Sequence, residues 1–153
     1  MLTFDVNLSA LEAQLDAVVT KAQKAARLGA KAGSQIYYEA VKATTPVSKE
    51  GHWFQGSSAK KAKGAAATRA ASYWFDSGSL KGAVYQVFRK ESTSDHPEYQ
   101  IAWNHRKVPY GFMVTGGTKQ GAKANPFVQR GNNNAVSKAT AAMLAEFNKV
   151  MSS

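Results

Sequence analysis

Three histidines, ten carboxylates and one Gly-rich loop are the groups with which this 153-residue chain could do chemistry. His52, His96 and His105 stand at none of the i, i+3 or i+4 spacings that place two metal ligands on one helix face. His96 falls in the turn-like segment 92–97, where a solvated imidazole is the ordinary state. Asp76, Glu91, Asp95, Glu98 and Glu146 form no pair spaced for acid–base work, and Asp95 and Glu98 flank the His96-Pro97 turn. The loop Gly116-Gly117-Thr118-Lys119-Gln120-Gly121 has the flavour of a phosphate cradle. A Walker loop needs Gly-Lys followed by Ser or Thr, however, and here Gly121 precedes Ala122. Neither a GxGxxG fingerprint nor a GxSxG nucleophile elbow occurs, and Ser77-Gly78-Ser79 has no base beside it. The absence of cysteine removes disulfides, thiolate zinc sites and cysteine nucleophiles together. These residues predict a protein that is not an enzyme and takes no cofactor or metal.

Composition points instead to a folded, basic binding or structural protein. With 44% hydrophobic residues and 3 Trp, 6 Tyr and 7 Phe, the chain can build a core without crosslinks, as one domain over residues 1–153. No apolar run approaches the ~18 residues of a membrane span. The N-terminal MLTFDVNLSALEAQLD lacks the basic stretch that opens a signal peptide, so the expected place of synthesis is the cytoplasm. A net charge of +10 attracts polyanions whatever their sequence. The excess is densest in residues 42–69, where Lys42, Lys49, Lys60, Lys61, Lys63 and Arg69 face only Glu50.

The elements that must carry these residues are legible from periodicity. Leu8, Leu11, Leu15, Val18, Val19, Ala22 and Ala26, continued by Ile36, Tyr37, Ala40 and Val41, recur at helical spacing over residues 8–43. Asn7 or Ser9 is the expected N-cap, and Pro46 stops the helix near Thr44-Thr45. Gly29 and Gly33 mark either a kink or a close crossing of another backbone. Residues 48–77 form an Ala/Lys/Ser/Gly-rich basic insertion, read over 58–72 as a short helix or a loop. Trp53, Phe54, Tyr73, Trp74 and Phe75 flank it, either stacking on bases or anchoring its ends on the core. Residues 79–90 and 98–104 alternate as two strands of a hairpin, with a turn at 92–97. Val108-Pro109-Tyr110 leads into Gly111-Phe112-Met113-Val114, which reads as a strand or a short helical turn. A Gly-rich loop follows, and after Pro126 residues 127–151 read as a closing helix. The predicted class is α+β, with a long N-terminal helix and a C-terminal helix packed on a small antiparallel sheet.

The order of short motifs along this frame resembles the neck and tail-completion proteins of long-tailed phages. In that family a helix ends in A-P-V, then come T-G-x-L and a strand, Y-A-x-F-V-E-x-G-T, and P-F-L before the last helix. Thr45-Pro46-Val47, Ser77-Gly78-Ser79-Leu80, the run from Tyr110 to Thr118, and Pro126-Phe127-Val128 look like these four in turn. Two departures stand out. The insertion 48–77 interrupts a connection that is direct in the family, and Thr115-Gly116 replaces the Glu before Gly-Thr.

The resemblance implies a structural subunit of a virion at the head–tail junction. It would form a homo-oligomeric ring, often sixfold, around the DNA channel and meet a connector, tail-terminator or tail-tube protein. Tail-completion protein, terminator and head-side adaptor all fit. On this reading Tyr110, Phe112, Thr118, Lys119, Pro126 and Phe127 are expected at subunit or ring contacts. Lys60, Lys61, Lys63 and Arg69 are expected to face genomic DNA or the lumen, with no part in a membrane. The rival reading is a small sequence-independent nucleic-acid-binding protein using residues 49–69.

Overall fold

The structure, a computed structural model, describes residues 8–55, 72–119 and 121–153. The α+β class expected from the sequence is the one observed. Helix α1 (Leu8–Thr44) leads into a ribbon of strands β1 (His52–Gln55) and β2 (Ser72–Phe75). A single turn α2 (Ser79–Gly82) precedes the hairpin β3 (Val84–Phe88) and β4 (Tyr99–Trp103). Short helix α3 (Gly111–Gly116) and long helix α4 (Phe127–Ser152) complete the chain. The sequence predicts one small sheet; among the described residues there are two, each of two strands. The additional one consists of β1 and β2, which lie near the two ends of the 48–77 insertion and flank the stretch read as a helix or loop. Residues 111–114, for which the sequence allows a strand or a helical turn, belong to helix α3, and residues 79–82 of the first expected strand form the turn α2 instead. Ser9 lies inside α1 rather than capping it, and Asn7 is outside the described residues.

The chain packs as two compact units, and its four crossings between them fall within α1, β3, β4 and α4 rather than in linkers. One unit holds the described residues within 38–85 and 101–134. Its core is Val41, Leu80, Ala83, Val84, Val108 and Phe127, with Tyr38, Ile101 and Trp103 packed around it. Phe127 is its largest fully buried side chain. Here α1 and α4 run antiparallel at very short range. Gly131 faces the Val41 backbone, and the Thr44 Oγ1 hydroxyl donates to the Phe127 carbonyl at 2.7 Å. The last turn of α1 is closed by Thr45, whose buried hydroxyl donates to the Val41 carbonyl at 2.6 Å. The Arg130 guanidinium joins that helix end to the loop before α4, donating to the Thr44 carbonyl and to Asn125 Oδ1. A cation beside the carbonyl end of a helix is favourably placed.

The other unit holds the described residues within 1–37, 86–100 and 135–153. Gly29 and Gly33 both lie against Met143 of α4, so of the two sequence expectations the close crossing is the one realised. Gln86 Nε2 donates to Ser34 Oγ at 2.5 Å, and the Arg27 guanidinium sits 5.0 Å from the Phe88 ring centre. Phe88 meets Tyr99 edge-on across the hairpin at 5.2 Å. The 92–97 turn is tied down by Gln23, which donates to Asp95 at 2.9 Å, and by the Arg89–Glu98 ion pair. Every residue of α1 from Leu8 to Thr20 is exposed, although Leu8, Leu11, Leu15, Val18 and Val19 are apolar.

A methyl group on Gly131 would lie 2.6 Å from Val41 Cα, a backbone atom that cannot swing aside. Gly131→Ala is expected to destabilise the fold by about 1–3 kcal/mol net, even though alanine is the better helix former by roughly 1 kcal/mol. A urea unfolding curve with an unchanged or raised midpoint would refute this packing.

Candidate functional site

Three of the four short motifs that stood far apart in sequence meet around one cavity of about 550 Å³, while the fourth, Pro126-Phe127-Val128, begins just beyond its edge. Pro46 and Val47 follow the stop of α1 and form one wall. Gly78 and Leu80 come from the second motif. Gly78 takes a φ of +81°, a conformation easy only for glycine, and so turns the chain to send Leu80 into the core. Tyr110, Met113, Val114 and Thr118 come from α3 and the loop after it. Asn125, immediately before Pro126, closes the far edge. Backbone bonds hold that loop: Asn125 N–H donates to the Val114 carbonyl at 2.8 Å and Thr118 N–H to the Ala122 carbonyl at 3.0 Å.

The insertion supplies the remaining wall. Strands β1 and β2 pair antiparallel, His52 opposite Phe75 and Phe54 opposite Tyr73. Side chains alternate between the faces of such a ribbon. His52, Phe54 and Phe75 therefore turn toward Tyr110, with ring centres 4.8, 6.0 and 4.9 Å from its ring. Trp53 and Trp74 occupy the opposite face, edge to face at 5.4 Å, and are 66% and 50% exposed. The flanking aromatics are thus divided, some anchoring the ribbon inward and others facing solvent. Ser77 Oγ fastens the ribbon's base by donating to the Ser48 carbonyl at 2.6 Å.

The lining is mostly apolar. Among the described residues that line it, Lys123 is the one of fixed charge and none is acidic. Among the described residues no three of His, Asp and Glu gather to hold a metal ion. A concave, preformed and largely apolar hollow with few polar groups is suited to receiving another molecule's apolar side chains.

The sequence-predicted contact residues fall in different places. Tyr110 and Thr118 line the cavity. Phe112 is exposed at 59% and Lys119 is exposed, while Pro126 is half-buried. Phe127 is wholly buried in the core and packs against Trp103, so it is unavailable to a neighbouring subunit. Lys60, Lys61, Lys63 and Arg69 lie outside the described residues, as does the proposed helix or loop over most of 58–72. Sequence reasoning missed His52, Phe54, Met113 and Lys123 as cavity residues. The signal for the first two was present in the aromatic runs His52-Trp53-Phe54 and Tyr73-Trp74-Phe75, which favour strands.

Burial raises the Tyr110 phenol above its ordinary pKa of 10.0, opposed in part by the Leu80 backbone. The folded chain keeps this proton where the unfolded chain has lost it. The contribution to stability is complete below pH ~10 and is lost as pH rises through the higher folded value. Tyr110→Phe is expected to flatten the fall of unfolding free energy above pH ~10; an unchanged alkaline limb would contradict the burial of this hydroxyl.

In comparison with known proteins, no family model, no curated protein and no solved structure matches the chain.

Proposed function

We propose that this chain is a structural, non-enzymatic subunit of a tailed-phage virion at the head–tail junction, where copies form a ring around the DNA channel. The observation that supports this reading is the convergence of three of the four ordered motifs, spread over residues 45–118, on one cavity. Their roles are now physical ones. The proline stops α1, the glycine allows a left-handed turn, the leucine fills the core, and Tyr110 to Thr118 wall a hollow able to receive a neighbour. A ring requires a heterologous contact that closes, which joins two different surfaces of the subunit, and the hollow offers one of them. The excess positive charge suits a ring through which DNA passes without being read.

The experiment is to label the chain in assembled particles and image them. Label confined to the neck, in a ring of copies, is expected; intact infectious particles that lack the chain would overturn the proposal.

A second reading, a sequence-independent nucleic-acid-binding protein, is favoured by the solvent-facing Trp53, Tyr73 and Trp74 beside the basic 49–69 segment. Exposed aromatics next to lysines are the usual platform for stacking bases. On this reading, replacing Lys60, Lys61 and Lys63 by Ala lowers the slope of log affinity against log salt by up to about 2.7, three duplex phosphate contacts' worth. Undetectable binding of short duplex DNA at roughly 50 mM salt would eliminate it.

A further inference from the structure

The exposed stretch of α1 is the largest feature that the fold leaves unused. Leu8, Leu11, Leu15 and Val18 recur at spacings of three and four, forming a single apolar stripe, and they are 50–61% exposed. The same spacing continues through Ala22 to Ala25 and Gly29, which are covered within their own unit. A coiled-coil-like seam thus starts in solvent and ends in packing.

Charge narrows what covers it. The first basic residue of the chain is Lys21, so the exposed stretch carries Glu12 and Asp16 and no cation. All 20 Lys and Arg lie beyond it. Pairing one exposed stretch with another, parallel or antiparallel, sets acid against acid. The complementary surface is apolar, concave and basic, as is the cavity walled by Val47, Tyr110 and Met113 with Lys123 as its charge.

We infer that the exposed α1 stripe of one copy seats in the Lys123-bearing cavity of a second copy, a heterologous contact that propagates around a ring. It rests on the oligomeric reading above and names the surfaces. Leu11 and Leu15 enter the hollow, and Glu12 and Asp16 lie against the neighbour's positive charge.

The test uses the full chain and two double variants at exposed positions, Leu11→Asp/Leu15→Asp on the stripe and Val47→Glu/Lys123→Glu at the cavity. Mass in solution is followed by sedimentation up to ~1 mM, where even a weak contact is half formed. The parent chain is expected to gain mass with concentration while each variant stays monomeric with unchanged circular dichroism. A mixture of the two variants is expected to form one-to-one pairs that grow no further, since each retains one intact half of the contact. A parent chain still monomeric at ~1 mM would overturn the inference and leave the virion assignment to the labelling experiment. Continued association of either variant, or a mixture that stays monomeric while the parent associates, would overturn it as well.

Discussion

The core depends on how closely two helices approach. Where α1 ends and α4 begins, a glycine of one helix presses on the backbone of the other, and a threonine hydroxyl bridges the two. Gly131 against Val41 leaves no side chain between the helices. That distance decides where Phe127 goes: at the first turn of α4, it is driven wholly into the core beside Trp103. Arg130, one turn on, then reaches both the end of α1 and Asn125 at the rim of the cavity. Core packing, helix termination and the edge of the candidate site are consequences of one short contact.

The cavity is built from short elements, loops and the end of α1 rather than from the bodies of the long helices. Its walls are the residues just after α1, the turn at Gly78, the short helix α3 with its following loop, and the inner face of a two-stranded ribbon. Such places are free of the periodic demands of a helix or a sheet, so their side chains can be spent on contact. The insertion that departs from the phage neck pattern is therefore more than an addition to the surface. Its paired strands put His52 and Phe54 over Tyr110, and its other face holds out two tryptophans.

What was legible in the sequence was the part governed by period. The stripe from Leu8 to Val41 and the apolar face of residues 127–151 set both long helices to within a residue, and alternation set the β3–β4 hairpin, except that residues 79–82 of its first expected strand form α2. Length defeated the rest. Four-residue strands such as His52–Gln55 contain too few alternations to stand out from an irregular segment, and their partner lies across the basic stretch between them. Gly111–Gly116 is nearly as short, which is why Gly111 to Val114 read as strand or helix alike. The cavity was legible only as an order of motifs. Nothing local in Pro46-Val47 or Gly78-Ser79-Leu80 says that they face each other, and Phe127 carried the same motif signal as Tyr110 while serving only the core.

The three tryptophans divide between environments in a way that gives this protein its own optical reporters. Trp53 and Trp74 stand in solvent on the ribbon, while the Trp103 indole N–H is buried beside Phe127 without a hydrogen-bond partner among the described residues. Intrinsic fluorescence is thus a sum of a long-wavelength emission from the ribbon and a short-wavelength emission from the core. A molecule that lands on the ribbon shifts the first and leaves the second, whereas loss of the core shifts the second. Binding and unfolding are separable by colour in the unlabelled chain.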